Sequence, residues 1–336
     1  ESGEDERAIV AYERAIAVAP RDVDLRLGLV RVLGRTGRID ALVSAYRGLV
    51  VLVPRETRYL VELAEVLRRS GRLPEAIAVA DEAGRAAPND PVLHAALALL
   101  FERWGDRERV RREVEQLARI APDDPANLVA LGDLRLGDGD REGARRAFER
   151  LRTLSADPLE ARLEVGRALA RHGLLDEAEA ELRAAALLAP DSVPVLEALS
   201  DVLEAPRAAE TPATRARRDE EAAALLEVVL ARSPDAEHQR EARRRRVGIA
   251  ERRGELPARI AGWERDFATD PPDESAGLLL VEAYARLRPP AHGAAERVIG
   301  RLVALRPGDV ESLAALERLR VSRGDRAGAI EVLAKL

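Results

Sequence analysis

Cysteine and methionine are absent from this chain, and lysine appears once, at position 335. Without cysteine there is no disulfide framework and no thiolate metal site, although the redox compartment stays open. Aromatic residues are nearly as scarce: two Trp, four Tyr and three Phe in 336 residues. The 46% apolar content must therefore be spent mainly on Ala, Leu and Val. Ala and Leu are strong helix formers and poor sheet residues, so closely packed helices are expected. No unbroken apolar run approaches the ~18 residues of a membrane span, and no membrane insertion by this segment is expected. Nor is there a large excess of either sign of charge. Sixty acidic against 54 basic residues give a net charge of −6, which speaks against general nucleic-acid binding. At 34% charged and 46% apolar, the chain also lies outside the disordered regime.

What the sequence does contain is a period. Prolines 20, 54, 88 and 122 are 34 residues apart, and Pro190 falls two periods later. Gly37, Gly71, Gly105, Gly139 and Gly173 form a second ladder at the same interval, matched again by Gly324. Leu29, Leu63, Leu97, Leu131, Val165 and Leu199 keep the register, each followed by a small or modest residue. In the second half of each unit the ladder is Ala8, Leu42, Ala76, Val110, Ala144 and Ala178. It continues four and then seven residues later, as in Phe148 and Leu151, and these offsets share one helical face. Each unit thus reads as two helices. The first starts at an Asp cap followed by proline, as in Asp90-Pro91, Asp124-Pro125 and Asp157-Pro158. It ends at the ladder glycine, and the proline beyond the second helix stops the unit.

The pattern Leu131-Gly132, Gly139, Ala144, Phe148 and Leu151 resembles the tetratricopeptide repeat, and the resemblance covers essentially the whole chain. It implies an all-α, right-handed α-solenoid of about nine and a half helix-turn-helix repeats: a second helix alone at residues 5–18, then nine pairs. Residues 1–190 form the regular array; residues 191–336 form a degenerate one, with an inserted loop expected near 205–218. The two are expected to make one continuous solenoid. The chain opens on Glu1 inside a helical pattern and leaves on Ile330, Val332, Leu333 and Leu336, so it is expected to be an excerpt of a longer polypeptide. Its arginine-for-lysine bias resembles that of a GC-rich bacterial genome; bacterial cytoplasm and periplasm both remain open.

Catalytic signals are missing. His94, His172, His238 and His292 lie outside metal-ligand spacing of one another and without an evident carboxylate partner, so they read as ordinary surface or core-edge residues. No phosphate loop, H-E-x-x-H or nucleophile elbow occurs. Asp133, Asp138, Asp140 and Glu142 lack the spacing of a calcium loop and read as an inter-helix turn with a capping Asp. No catalytic, cofactor-binding or metal site is expected. The run Arg243–Arg246, within Arg240–Arg253, has two readings: an anion or nucleic-acid site, or a solvated helix paired to Glu237, Glu241 and Glu251. The second is favoured because consecutive residues splay about 100° apart on a helix.

A further ladder is more informative. Arg35, Arg69, Arg103 and Arg171 share one repeat position two residues before the glycine, with Gly137 as the gap; Arg31 and Arg167 lie one turn earlier. In proteins of the resembled family such first-helix positions line the concave groove that meets a peptide. The resemblance therefore implies a partner-binding groove of Arg31, Arg35, Glu65, Arg69, Arg103, Asp133, Arg167 and Arg171, suited to acidic side chains or a carboxylate. Glu65, Asp133, Glu197 and Asp201 make it mixed rather than uniformly basic. The alternative is that arginine in a last turn merely favours the negative end of the helix dipole, worth ~0.3–1 kcal/mol each. The Lys/Asn carboxylate clamp of chaperone-binding members is not recognisable. The expected function is a non-enzymatic scaffold binding a protein or peptide, an acidic one being suited to the arginines, in the groove or along the solenoid edge. An alternative is the recognition or assembly arm of a larger enzyme or envelope machine.

Overall fold

The structure, a computed structural model, describes residues 2–54 and 56–333; Glu1, Lys335 and Leu336, noted above, lie outside the described residues. Nineteen helices and no strand occur among the described residues. They fall into two compact units, Glu1–Ser155 and Ala156–Leu336.

The first unit begins with a lone helix, α1 (Ser2–Val18). Four antiparallel pairs follow: α2 (Val23–Thr36) with α3 (Ile39–Leu52), α4 (Arg58–Arg69) with α5 (Leu73–Ala86), α6 (Pro91–Trp104) with α7 (Arg107–Ile120), and α8 (Pro125–Gly137) with α9 (Arg141–Leu154). The second unit has five: α10 (Pro158–Arg171) with α11 (Leu175–Leu188), α12 (Val193–Glu204) with α13 (Pro212–Arg232), α14 (Ala236–Arg252) with α15 (Leu256–Phe267), α16 (Glu274–Arg286) with α17 (His292–Leu305), and α18 (Val310–Ser322) with α19 (Arg326–Leu333). One helix and nine pairs are the nine and a half repeats that the period implies.

The local signals act as expected. Asp90 accepts from the backbone N–H groups of Val92 and Leu93, and Asp157 does the same for Leu159 and Glu160. In each case a proline occupies the first helical turn, where a missing N–H costs nothing. Every ladder glycine has positive φ, for example 73° at Gly105, a conformation that lets the last carbonyls of the helix be satisfied.

Burial follows the ladders. Leu49, Leu67, Leu97 and Phe101 are fully covered in the first unit, where Phe101 packs edge-on to Trp104 with centroids 5.6 Å apart. In the second unit Trp263 and Phe267 join Leu279, Leu280 and Ile299 in one cluster. The small residue after the ladder Leu allows the paired helix to come close. A Cβ added to Gly132 would lie 2.1 Å from the Phe148 ring, and one added to Gly166 would lie 2.6 Å from Leu182 Cγ. First helices of successive pairs also touch each other, α4 with α6 in one unit and α10 with α12 and α14 with α16 in the other. Each unit therefore brings some of its first helices side by side.

The stretch 205–218 is not wholly a loop. Residues 205–211 connect the helices, but Pro212–Arg218 form the opening turns of α13. Thr211 caps the helix by accepting from Thr214 N, and Pro212 stands at its start. The stretch lacks an apolar face because its buried face is ionic. Arg218 is 6% exposed and donates to the carbonyls of Val202, Leu203 and Ala205 at 3.1, 2.6 and 2.7 Å. Those carbonyls end α12, where no helical N–H remains to meet them. Glu210 balances the charge at 2.5 Å.

Candidate partner-binding surface

The ladder arginines sit in the last turns of first helices because their helices end at the glycine two residues on. The structure brings three of the expected groove residues together. Glu65 on α4 accepts from Arg69 Nε at 3.0 Å and from Trp104 Nε1 at 3.2 Å, and Arg103 on α6 lies 3.9 Å away. Burial pushes the Glu65 carboxyl up, but the indole N–H and the two guanidinium groups outweigh it and hold the carboxyl below its usual range. Two arginines thus share one carboxylate while keeping side-chain exposures of 77% and 61%. Most of their N–H donors face water.

The other positions are more dispersed. Arg35, on the neighbouring α2, is turned to Asp5 of α1 at 2.5 Å and is still 64% exposed. Arg31 is exposed on α2, its Nε 3.5 Å from Leu27 O. Asp133 is half-buried on α8 and engaged by a neighbour. Arg167 and Arg171 belong to the second unit. There Arg167 pairs with Glu164 at 2.9 Å, and Arg171 is also engaged. Both line a cavity of about 310 Å³ with Pro194, Glu197, Ala198 and Asp201. Asp201 and Glu204 receive Arg245 at 2.7 and 2.8 Å, so this wall is laced by ion pairs.

One contributor was not singled out from the sequence. Leu99, at the repeat position of Arg31, Glu65, Asp133 and Arg167, stands one turn before Arg103 and is 58% exposed. The same 34-residue count marks it, but an exposed leucine in an apolar helix is indistinguishable from a core residue until the neighbours are placed.

The arginine run corrects the expectation of a solvated helix. The four side chains do splay, but three are turned into helix interfaces. Arg243 reaches Glu311 on α18, and burial pushes its guanidinium down to about 10. Arg245 reaches α12, while Arg246 pairs with Glu227 on α13 and lies over the Trp263 ring. Only Arg244, paired with Glu241, remains mainly in solvent. The run cross-links α14 to its surroundings.

His94 is also corrected. It is buried at 5% exposure, with Nδ1 2.5 Å from Glu113 and Nε2 3.1 Å from Pro88 O. Its carboxylate partner comes from α7, 19 residues away, beyond the reach of local spacing. In the turn at 138–140, Asp140 caps α9 through Gly143 N and Arg111 takes both oxygens of Asp138. Among the described residues no group of three His, Asp or Glu is placed to hold a metal ion, and no helix is long and apolar enough to cross a membrane.

A family model described as tetratricopeptide repeat matches residues 31–91 and 129–193. No curated protein matches the sequence. Similar solved structures include a tetratricopeptide repeat protein from Parabacteroides merdae, at 16% identity and TM-score 0.49, with 78% of this chain and 98% of that one covered. PilW, a type IV pilus biogenesis factor, gives 16% identity and TM-score 0.42, covering 77% and 98%. Human IFIT1, in a dimer with m7Gppp-AAAA, gives 14% and 0.39, covering 99% and 86%. The family match falls on repeats in both units, and the same helix pair recurs through each of them. Tetratricopeptide repeats are thus present at residues 31–91 and 129–193.

Proposed function

We propose that the first-helix surface formed by α4 and α6 binds an acidic segment of a partner protein, and that the chain serves as a non-enzymatic assembly scaffold. The observation that supports this reading is the shared carboxylate: Arg69 and Arg103 divide Glu65 between them and stay largely exposed. That leaves the surface with surplus positive charge beside the exposed Leu99. A partner segment carrying Asp or Glu next to one apolar side chain matches both features. Helical-repeat proteins act through such extended surfaces, and the scarcity of aromatics favours broad polar contact over one deep anchor.

A displayed random-peptide library selected on the purified chain tests the reading. Enrichment of acidic peptides that is lost on Arg69→Glu/Arg103→Glu supports it. Selection of peptides without acidic enrichment, or enrichment unchanged by the double reversal, overturns it.

A further inference from the structure

A second site is marked by a break in the apolar register. Four residues after the ladder Leu, successive first helices carry Leu33, Leu67, Phe101, Leu169 and Leu203, all buried. On α8 the same position is Arg135. Its side chain is 34% exposed, and its nearest carboxylates, Glu115 and Asp140, are both 3.9 Å away, too far for hydrogen bonds. A guanidinium that is partly withdrawn from water without bonded partners carries a desolvation cost, one that the apolar side chains at this position in the other repeats avoid.

Arg135 opens onto a cavity of about 430 Å³ between α7, α8 and α9. Leu128, Leu131 and Ala147 form its apolar side; Arg146 and Arg150 join Arg135 on its charged side. Asp140 is the one carboxylate in the lining, and its Oδ1 already accepts from Gly143 N at 2.8 Å. Arg146 lies 3.5 Å from Glu142, and Arg150 donates through Nε to Asp123 at 2.9 Å. The cavity therefore combines an apolar wall with three guanidinium groups, at a volume within the ~300–1,000 Å³ usual for small-ligand pockets.

We propose that this cavity binds a small organic acid, an oxyanion head on an apolar body. The head meets the Arg135 fork, whose paired N–H groups match a carboxylate or phosphate. The body covers Leu128, Leu131 and Ala147. The site draws on the second helices α7 and α9, so it stands independently of the first-helix surface described above.

Isothermal titration of the full chain with octanoate, octyl phosphate and inorganic phosphate tests this. One alkyl anion bound per chain is expected, and the tighter of the two identifies the head group. Arg135→Leu restores the apolar residue type found at this position in the other repeats, so helicity and thermal midpoint should hold while affinity drops by about tenfold or more, as for loss of a charge-assisted pair. Arg135→Lys should retain part of the binding. The proposal is overturned if neither alkyl anion saturates one site, if Arg135→Leu binds as tightly as the original, or if inorganic phosphate binds as tightly as octyl phosphate.

Discussion

Replacing Arg218 with methionine removes a buried charge while keeping most of the aliphatic stem. The Val202 and Leu203 carbonyls then lose their side-chain donor, Ala205 O keeps only Arg215 Nη1 at 3.3 Å, and Glu210, its side chain 8% exposed, is left with Arg215 at 3.9 Å as its remaining counter-charge. Removing one partner from a buried pair costs about 3–5 kcal/mol, and each abandoned buried acceptor contributes part of that through lost hydrogen bonding. In a repeat protein the damage stays local, because each repeat contacts only its neighbours. Native-state hydrogen exchange over residues 200–219 is therefore the appropriate assay. A cost of that size multiplies the local opening equilibrium by about a hundred- to several-thousand-fold. Amides of α12 and early α13 should lose protection, while α2–α5 should be unaffected. A change below about fivefold at α12 would refute the claim that Arg218 closes this helix end.

Three more outcomes are expected. The depressed carboxyl of Glu65 contributes stability above its unfolded value, about 4.3, and that contribution is lost as pH falls through the lower folded value; Glu65→Gln should flatten part of the acid limb of a stability–pH profile, and an unchanged limb would contradict it. Gly132→Val drives a side chain into the Phe148 ring and should cost about 1–3 kcal/mol, read from the exchange of α8 and α9; unchanged protection would show that the close approach is not needed. Arg69→Glu/Arg103→Glu should alter the thermal midpoint little, since exposed ion pairs contribute only about 0–1 kcal/mol.

Helix starts and stops were legible because the signals are local: Asp90 with Pro91 at one end and Gly105 at the other settle α6 within fifteen residues. Interfaces between helices were less so. The periodicity shows that Arg243 to Arg246 point in different directions, but not that Arg243 meets Glu311 or that Arg245 meets Glu204. Those partners are separated by 41 residues or more, and no spacing rule reaches that far. The 205–218 stretch conceals its helix for a related reason. A helix was expected to bury apolar residues, whereas α13 opens by burying Arg218 and Asp219. At the surface, the arginine ladder was visible as residues, but the sharing of Glu65 by Arg69 and Arg103 needed the placement of α4 beside α6.

The most direct measurement of the central claim is the affinity of a synthetic peptide carrying Asp and Glu around one leucine, compared between the original chain and Arg69→Glu/Arg103→Glu. At about 50 mM salt the account predicts saturable binding to the original, weakening as salt screens the charges, and at least about tenfold weaker binding to the reversed protein. Equal affinity for the two proteins at low salt would contradict it.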